Sequence, residues 1–490
     1  METLVVVTQL KDWSLNLPDV RVVTARSYLM DEEFSNMKRA KVFNLCRHYR
    51  YQTYGYYVSL LAEARGHKSI PSVITMQDLR SPAVVRLTVD IIEDKIQKSL
   101  APIQSDKFTL SIYFGRNVAK YHDKLAQALF KVFPAPLLRA HFVKTQHWEL
   151  QNITAIPASS IPPEHLEFAR EAAREFFSKP QLREIRHKTA RYDLAILWER
   201  DDPTSPSGEK AIAKFTRAAE DLGMAVEIIH REDIGRLAEF DALFIRTTTA
   251  VDNYTYRFSS RAAAEGLVVI DDPVSILRCT NKVYLYELLS RNGIPTPKTR
   301  IIHRDEMSDI QESIGFPCIL KRPDSSSSLG VFKIENTEEF LTKTKELFEF
   351  SDLLIVQEFI PTEFDWRIGI IDRRPLFAAR YHMAPRHWQI LKHDKITGKV
   401  SYGHTDVFLT DEAPFDIVRY AVKAANLIGD GFYGVDLKQI GKHVYVIEVN
   451  DNPSVDTRFE DRILKDELYR KIMAVFLRRL EERTEGRSFR

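Results

Sequence analysis

The residues richest in chemistry lie between 282 and 453, and they come in a fixed order. Gly434-Val435-Asp436 is followed, after a turn at Gly441, by Val446-Ile447-Glu448-Val449-Asn450-Asp451-Asn452-Pro453. In a strand, residues two apart share a face. Glu448 and Asn450 therefore point one way while Ile447 and Val449 point to the core, and the turn brings Asp436 alongside. Two carboxylates and an amide oxygen at one spot are hard oxygen donors, suited to Mg²⁺ (or Mn²⁺) carrying substrate phosphates. Without a cation, an Asp/Glu pair on adjacent strands would repel.

Upstream, the apolar run Phe316 to Leu320 delivers Lys321 and breaks into a loop holding Ser326, Ser327, Ser328 and Gly330, before a strand resumes at Val331. Such a loop offers backbone N–H groups and small hydroxyls to phosphates, while the lysine neutralises their charge. A P-loop is excluded, because GxxxxGK[ST] is absent and strands follow; a plain hairpin loop remains the alternative. Leu353 to Val356 then leads into Gln357-Glu358-Phe359-Ile360, a strand end that suits an adenine pocket and equally an ordinary strand terminus. Glu363-Phe364-Asp365-Trp366-Arg367 opens a strand that continues through a turn to Arg380. Two arginines on neighbouring strands could clamp a phosphoryl group and a carboxylate, or make surface ion pairs. Lys282 heads a helix and, taken alone, is a surface lysine.

The elements that must position these groups read as α/β and α+β. Strands at 4–8, 20–24, 67–71 and 108–114 with a helix at 54–66 argue an N-terminal α/β domain with parallel pairing, over 1–189. The tyrosines at 49–57 suit a ligand-stacking surface or, more commonly, core or interface. A Pro/Ser linker at 156–163 and a charged helix from 164 to about 188 lead into a βαβ domain over 190–280, with strands at 192–197, 225–229, 242–245 and 267–271 and a helix at 209–222. A third domain, 281–490, runs from a helix at 281–291 to a basic helix at about 461–484. No internal repeat of fixed period is evident. Lys+Arg 70 against Asp+Glu 68 gives a net charge of +2, so no global field marks a nucleic-acid binder. Cys46, Cys279 and Cys318 are far apart, which excludes a disulfide framework and a zinc ribbon and fits a reducing compartment. Neither a signal peptide nor a membrane span is read.

In joint order and spacing these motifs resemble the ATP-grasp superfamily. Residues from about 190 to 455 are similar to its ribosomal-protein-modifying, RimK-type branch of carboxylate–amine ligases, and the first 190 resemble the N-terminal region found ahead of such a domain in one bacterial subgroup. The resemblance implies a pre-ATP-grasp domain at 190–280 and an ATP-grasp domain of two α+β subdomains. It implies that Lys282 and Lys321 hold the α- and β-phosphates while the 325–330 loop closes over the triphosphate. Gln357, Glu358, Phe359 and Ile360 would line the adenine, and Glu363 and Asp365 would reach the ribose. Asp436, Glu448 and Asn450 would hold two Mg²⁺ ions, with Arg367 and Arg380 stabilising the transferring phosphoryl group. The loop has a single late glycine where a glycine-richer one is expected, and Asp451 and Asn452 replace usually small residues, which bears on the acceptor site.

The implied reaction is ADP-forming amide synthesis through an acyl phosphate, adding an amino acid such as glutamate to a small molecule, peptide or protein. A non-catalytic ATP-binding regulator or scaffold is the alternative. The cationic, aromatic stretch holding Arg386, His387 and Trp388, together with Asn452, is the candidate site for an acidic substrate. Expected partners are ATP and that substrate, with no nucleic acid or membrane and room for a homo-oligomer; the expected location is cytoplasmic.

Overall fold

The computed structural model describes residues 2–488 except 14, 16, 18–19, 38–39, 179–189, 203, 305–309, 325–329, 385–386 and 394–399. Contacts divide the chain into two units: 1–193 with 229–241, and 194–228 with 242–490.

In the first unit, β1 (Glu2–Val7), β2 (Arg21–Thr24), β3 (Ala40–Asn44) and β4 (Lys68–Ile70) form a parallel sheet in the order β2-β1-β3-β4. The uninterrupted apolar run of β1 follows from burial on both faces. Leu4 and Val6 pack with Tyr28, Val58 and Ala62, while Val5 and Val7 pack with Phe43, Ala169, Ala172 and Ala173. The last three come from the helix Leu166–Ser178, the first half of the charged helix expected there. The strand expected near 108–114 does not join the parallel sheet. As β5 (Lys107–Tyr113) it pairs antiparallel with β6 (Leu137–Lys144), which pairs with β7 (Trp148–Ala155).

The second unit opens with β8 (Tyr192–Leu197), β9 (Met224–Ile229), β10 (Ala242–Ile245) and β11 (Val268–Ile270), in the order β9-β8-β10-β11. This is the order of the first sheet strand for strand, and the agreement extends to the side chains. At a spacing of 200 residues, Tyr54, Tyr56, Ser59, Ala62, Ala64, Gly66 and Ile70 match Tyr254, Tyr256, Ser259, Ala262, Ala264, Gly266 and Ile270. The helices Tyr54–Ala64 and Tyr254–Ala264 start and stop alike, at Gly66 with φ +70° and Gly266 with φ +75°. The Ser59 hydroxyl donates to the Pro71 carbonyl at 2.7 Å and the Ser259 hydroxyl to the Asp271 carbonyl at 2.6 Å. The chain therefore contains a repeated β/α module, contrary to the expectation of no repeat. Its single pair of copies, with loops of unequal length between them, defeats a search for a fixed period.

The rest of the second unit holds two further sheets. β12 (Thr299–His303), β13 (Cys318–Lys321), β14 (Val331–Ile334) and β15 (Leu353–Glu358) form an antiparallel sheet ordered β12-β15-β13-β14, backed by Phe340 and Leu347 of the helix Thr337–Leu347. β16 (Phe364–Ile371), β17 (Arg374–His382), β20 (Thr405–Phe408), β21 (Phe432–Ile440) and β22 (His443–Asp451) form the other, ordered β20-β17-β16-β21-β22. The short strands β18 (Leu391–His393) and β19 (Val400–Tyr402) pair with each other. One face of the five-stranded sheet packs Trp366, Ile368, Val435 and Leu437 against the helices Lys282–Arg291 and Phe415–Ile428. Its other face carries the candidate site. Among the described residues, no helix is long and apolar enough to cross a membrane.

Candidate active site

Three adjacent strands place the charged row. Arg367 on β16 is the register partner of Asp436 on β21, which is the register partner of Glu448 on β22. Opposed residues in an antiparallel ladder share a face, so all three side chains rise from the side away from the helices. Arg367 grips Asp436 with both arms of its fork, Nε donating to Oδ1 at 2.6 Å and Nη2 to Oδ2 at 2.8 Å. Asn450 donates its amide to Asp436 Oδ2 at 3.1 Å. Lys282 reaches Glu448 with Nζ 2.8 Å from Oε1. Its backbone N–H donates to the Pro323 carbonyl, just beyond Lys321, which ties the helix to the loop. Lys282 is no surface lysine.

Lys321 ends β13 and donates to Gln357 Oε1 at 2.8 Å; Gln357 in turn donates to the Thr299 hydroxyl at 2.9 Å. Burial pulls the Lys321 ammonium down to about 8, against the attraction of Glu448. Burial alone would raise the Glu448 carboxyl, but Lys282, Lys321 and Arg367 outweigh it and hold it below the ordinary range. A carboxylate ionised and ringed by cations is suited to receive a divalent cation in their company. Asp436, Glu448 and Asn450 supply the hard oxygen donors that such an ion takes, so the residues fit it.

Asp365 joins the face through a partner the sequence reading passed over. Lys438 Nζ lies 2.5 Å from Asp365 Oδ1 and donates to the Thr362 hydroxyl at 2.7 Å. Its signal was available, since Lys438 is two residues from Asp436 on one strand. Glu363 is exposed. Glu358 accepts the Lys298 N–H on Oε1 at 2.8 Å, so its carboxylate is bound to backbone. Ile360 is buried. Phe359 lies under Lys333, 4.5 Å from ring centroid to Nζ, and meets Trp388 edge to face at 6.1 Å. The adenine and substrate candidates are thus brought together at one point. His387 bonds Gln389 at 3.1 Å and stands beside Trp388. Gly330, with φ +82°, closes the loop by accepting the Arg322 N–H. Ser326, Ser327, Ser328 and Arg386 lie outside the described residues.

Two candidates are not brought to this face. Arg380 is the register partner of Trp366, not of Asp365, and shares its face. Its guanidinium stacks on Trp366 at 4.5 Å and on Phe364 and Phe408 at 4.8 Å, on the core side of the sheet. The cause is a β-bulge after Gly369, where one extra residue on β17 moves every later side chain to the opposite face. Tyr381 takes the position instead, its ring 5.0 Å from the Arg367 guanidinium and its hydroxyl bonded to Glu460. Asn452 is also withdrawn. It is buried at φ +46°, accepting from Arg246 Nη1 at 2.8 Å and donating to the Thr247 carbonyl at 2.6 Å. Arg246 is itself fully buried and bonds Ser207 and the Pro206 and Pro453 carbonyls. The Asp451 carboxyl, pushed up to about 7 by burial, accepts the Thr249 hydroxyl at 2.6 Å.

Residues 25–172 match the model of the RimK-like ATP-grasp N-terminal domain, and residues 288–458 match that of the D-ala D-ala ligase C-terminus. The chain is an ATP-grasp ligase. The first match covers most of the first copy of the module, the second copy lies between the two matches, and the second match contains the charged row. The α-aminoadipate–LysW ligase LysX of Sulfolobus acidocaldarius is 27% identical over 277 residues, covering 53% of this ATP-grasp chain and 90% of that one. The D-alanine–D-alanine ligase of Pediococcus pentosaceus is 26% identical over 176 residues, covering 36% and 50%. A probable alpha-L-glutamate ligase of Marinomonas sp. is 23% identical over 262 residues, covering 50% and 84%. ATP-grasp ligases as a class work with ATP and a divalent metal.

Proposed function

We propose that this ATP-grasp ligase makes an amide or peptide bond by activating a carboxylate with ATP and passing the acyl group to an amine, the acid or amine being an amino acid such as glutamate and its partner a small molecule, peptide or protein. The observation that carries the reading is the row Arg367–Asp436–Glu448, with Lys282 and Lys321 converging on Glu448. A carboxylate is a poor acyl donor because oxide is a poor leaving group. In the first step a carboxylate oxygen bonds the γ-phosphorus as the bond from that phosphorus to the ADP oxygen breaks. In the second, the amine nitrogen bonds the acyl carbon, phosphate leaves with the C–O electron pair, and the nitrogen gives up a proton.

The protein's part is positioning and charge. Lys282 and Lys321 neutralise phosphate oxygens, and Arg367 stabilises the transferring group. Gln357, Phe359 and Ile360 border the base, with Phe359 giving it a flat apolar contact. Asp436, Glu448 and Asn450 would hold Mg²⁺ (or Mn²⁺), which supplies Lewis-acid neutralisation of the phosphates. The division at about 190 and 280, a cytoplasmic site of action, independence from nucleic acid and membranes, and homo-oligomeric assembly belong to the same proposal. Buried, unpaired Cys46, Cys279 and Cys318 support a reducing surrounding.

The test is release of ADP and phosphate by the full chain over a panel of amino acids. Release should require an added acceptor and vanish in Glu448→Ala. Release that ignores the acceptor, or none across a broad panel, would sink the proposal.

A further inference from the structure

We propose that the N-terminal unit carries a second ligand site, a cationic cavity beyond the carboxyl end of β3 that takes a small polyanion bearing carboxylates or phosphates. In the sheet β2-β1-β3-β4 the connections leaving β1 and β3 run in opposite directions, and in open parallel sheets ligands bind at that switch point, outside the strand ends. A cavity of about 250 Å³ lies beyond the β3 end of that point, lined by Arg47, His48 and Arg50 from the loop after β3, Met76 of the helix Val73–Asp78, Arg80 just after it, and Thr154 from β7; Arg47 ties it to Asp12 in the loop after β1. That volume suits a molecule of a few carboxylates or a diphosphate.

The charge is unbalanced. Arg47 is partnered by Asp12, Nε donating to Oδ1 at 3.0 Å. Among the described residues Arg50, Arg80 and His48 have no ion pair or side-chain hydrogen bond, while Asp78, the nearest acid on that helix, is already engaged. Arginine forks are the groups that match carboxylate and phosphate oxygens in pairs. Exposed Tyr51, 62% accessible, stands on the same loop, and exposed Tyr54, 52% accessible, opens the helix that follows it.

The loop is also held in shape. Fully buried Asn44 donates to the Gly55 carbonyl at 2.7 Å and to the Ser59 hydroxyl at 2.9 Å, and accepts the Cys46 N–H. Thr53 donates to the His48 carbonyl at 3.0 Å, and a Cβ on Gly55 would meet that carbonyl oxygen at 2.3 Å. A fixed loop presents its arginines at little entropic cost. The repeated module supplies an independent argument. The same loop in the second copy, after β10, holds Arg246 and Thr249, which bond Asn452 and Asp451 at the end of the strand carrying Glu448. In the second copy this loop is spent on holding the end of β22; in the first copy the same loop lines the cavity.

The test is calorimetric titration of the full chain at low ionic strength with citrate, pyrophosphate and acetate. The expected result is saturable binding of citrate or pyrophosphate but not acetate, weakened about tenfold or more in Arg50→Gln/Arg80→Gln and unchanged in Arg458→Gln/Lys465→Gln, which removes equal charge elsewhere. Tighter citrate binding assigns carboxylates, and tighter pyrophosphate binding assigns phosphates. Ala155→Glu, which puts a carboxylate at the cavity wall, should give the same loss. Titrations identical in wild type and Arg50→Gln/Arg80→Gln, or an equal loss in the control variant, would overturn the proposal.

Discussion

Arg367 and Arg380 show how little a residue type says without its surroundings. One is clamped by a carboxylate on the face of the charged row; the other is stacked among three aromatic rings on the opposite face. They should fail differently. Arg367→Ala is expected to lower turnover at least about 100-fold, because the proposed function has its charge stabilise the transferring group. Arg380→Ala is expected to leave kcat within a factor of about two while costing about 1–2 kcal/mol in urea denaturation, the worth of a desolvated cation–π contact. Loss of turnover in a stably folded Arg380→Ala protein would return that residue to the chemistry. Lys321 belongs at this scale too: on the proposed function, in which its charge neutralises phosphate oxygens, Lys321→Met should raise the KM for ATP about tenfold or more with the fold intact. An unchanged KM would remove it from the nucleotide site.

Strands and their ends decide which of these residues can act. The hairpin between β16 and β17 turns on Asp372 and Arg373, both at positive φ, and the bulge follows within the same pair of strands. Had the pairing run on without the bulge, Arg380 would oppose Asp365 and share the face of Arg367. The end of β22 is set just as firmly, since Asn452 serves as a strut for buried Arg246. Asn452→Ala leaves a buried guanidinium arm and a carbonyl unpaired, at a cost of about 1–3 kcal/mol measurable by urea denaturation, with nucleotide affinity unchanged. A normal denaturation curve joined to lost turnover would restore Asn452 as a substrate contact. The repeated module makes a paired prediction. Ser59→Ala and Ser259→Ala each remove one buried hydroxyl that bonds the carbonyl after the short fourth strand, so each should destabilise by about 1–3 kcal/mol, and additively.

Across the whole molecule, a net charge of +2 hides strong local fields, cationic at the N-terminal cavity and mixed along the charged row. The first unit also has an acid weakness. His67, between the Tyr28 hydroxyl and the Met37 carbonyl, and His122, beside Ser99, are both held below their usual 6.5 by burial. The unfolded chain therefore takes up protons more readily than the folded one. The stability these rings lend is complete above about 6.5 and falls away as pH drops through their lowered values. Thermal melts of the full chain should show this unit weakening between about pH 7 and 5, and less steeply in His67→Gln/His122→Gln; equal slopes would contradict the account.

The sequence by itself determined the short-range features. Apolar runs and glycine stops put strands at Glu2–Val7, Tyr192–Leu197 and Ala242–Ile245 and helices at Tyr54–Ala64 and Lys282–Arg291, close to expectation. Period-two alternation put Glu448 and Asn450 on one face. These follow from local geometry that each segment carries with it. Only the tertiary structure decided that β5 leaves the parallel sheet, that a bulge turns Arg380 into the core, and that Asn452 is consumed by Arg246. Each of these depends on register or packing between residues far apart in the chain, where a shift of a single residue exchanges the two faces of a strand.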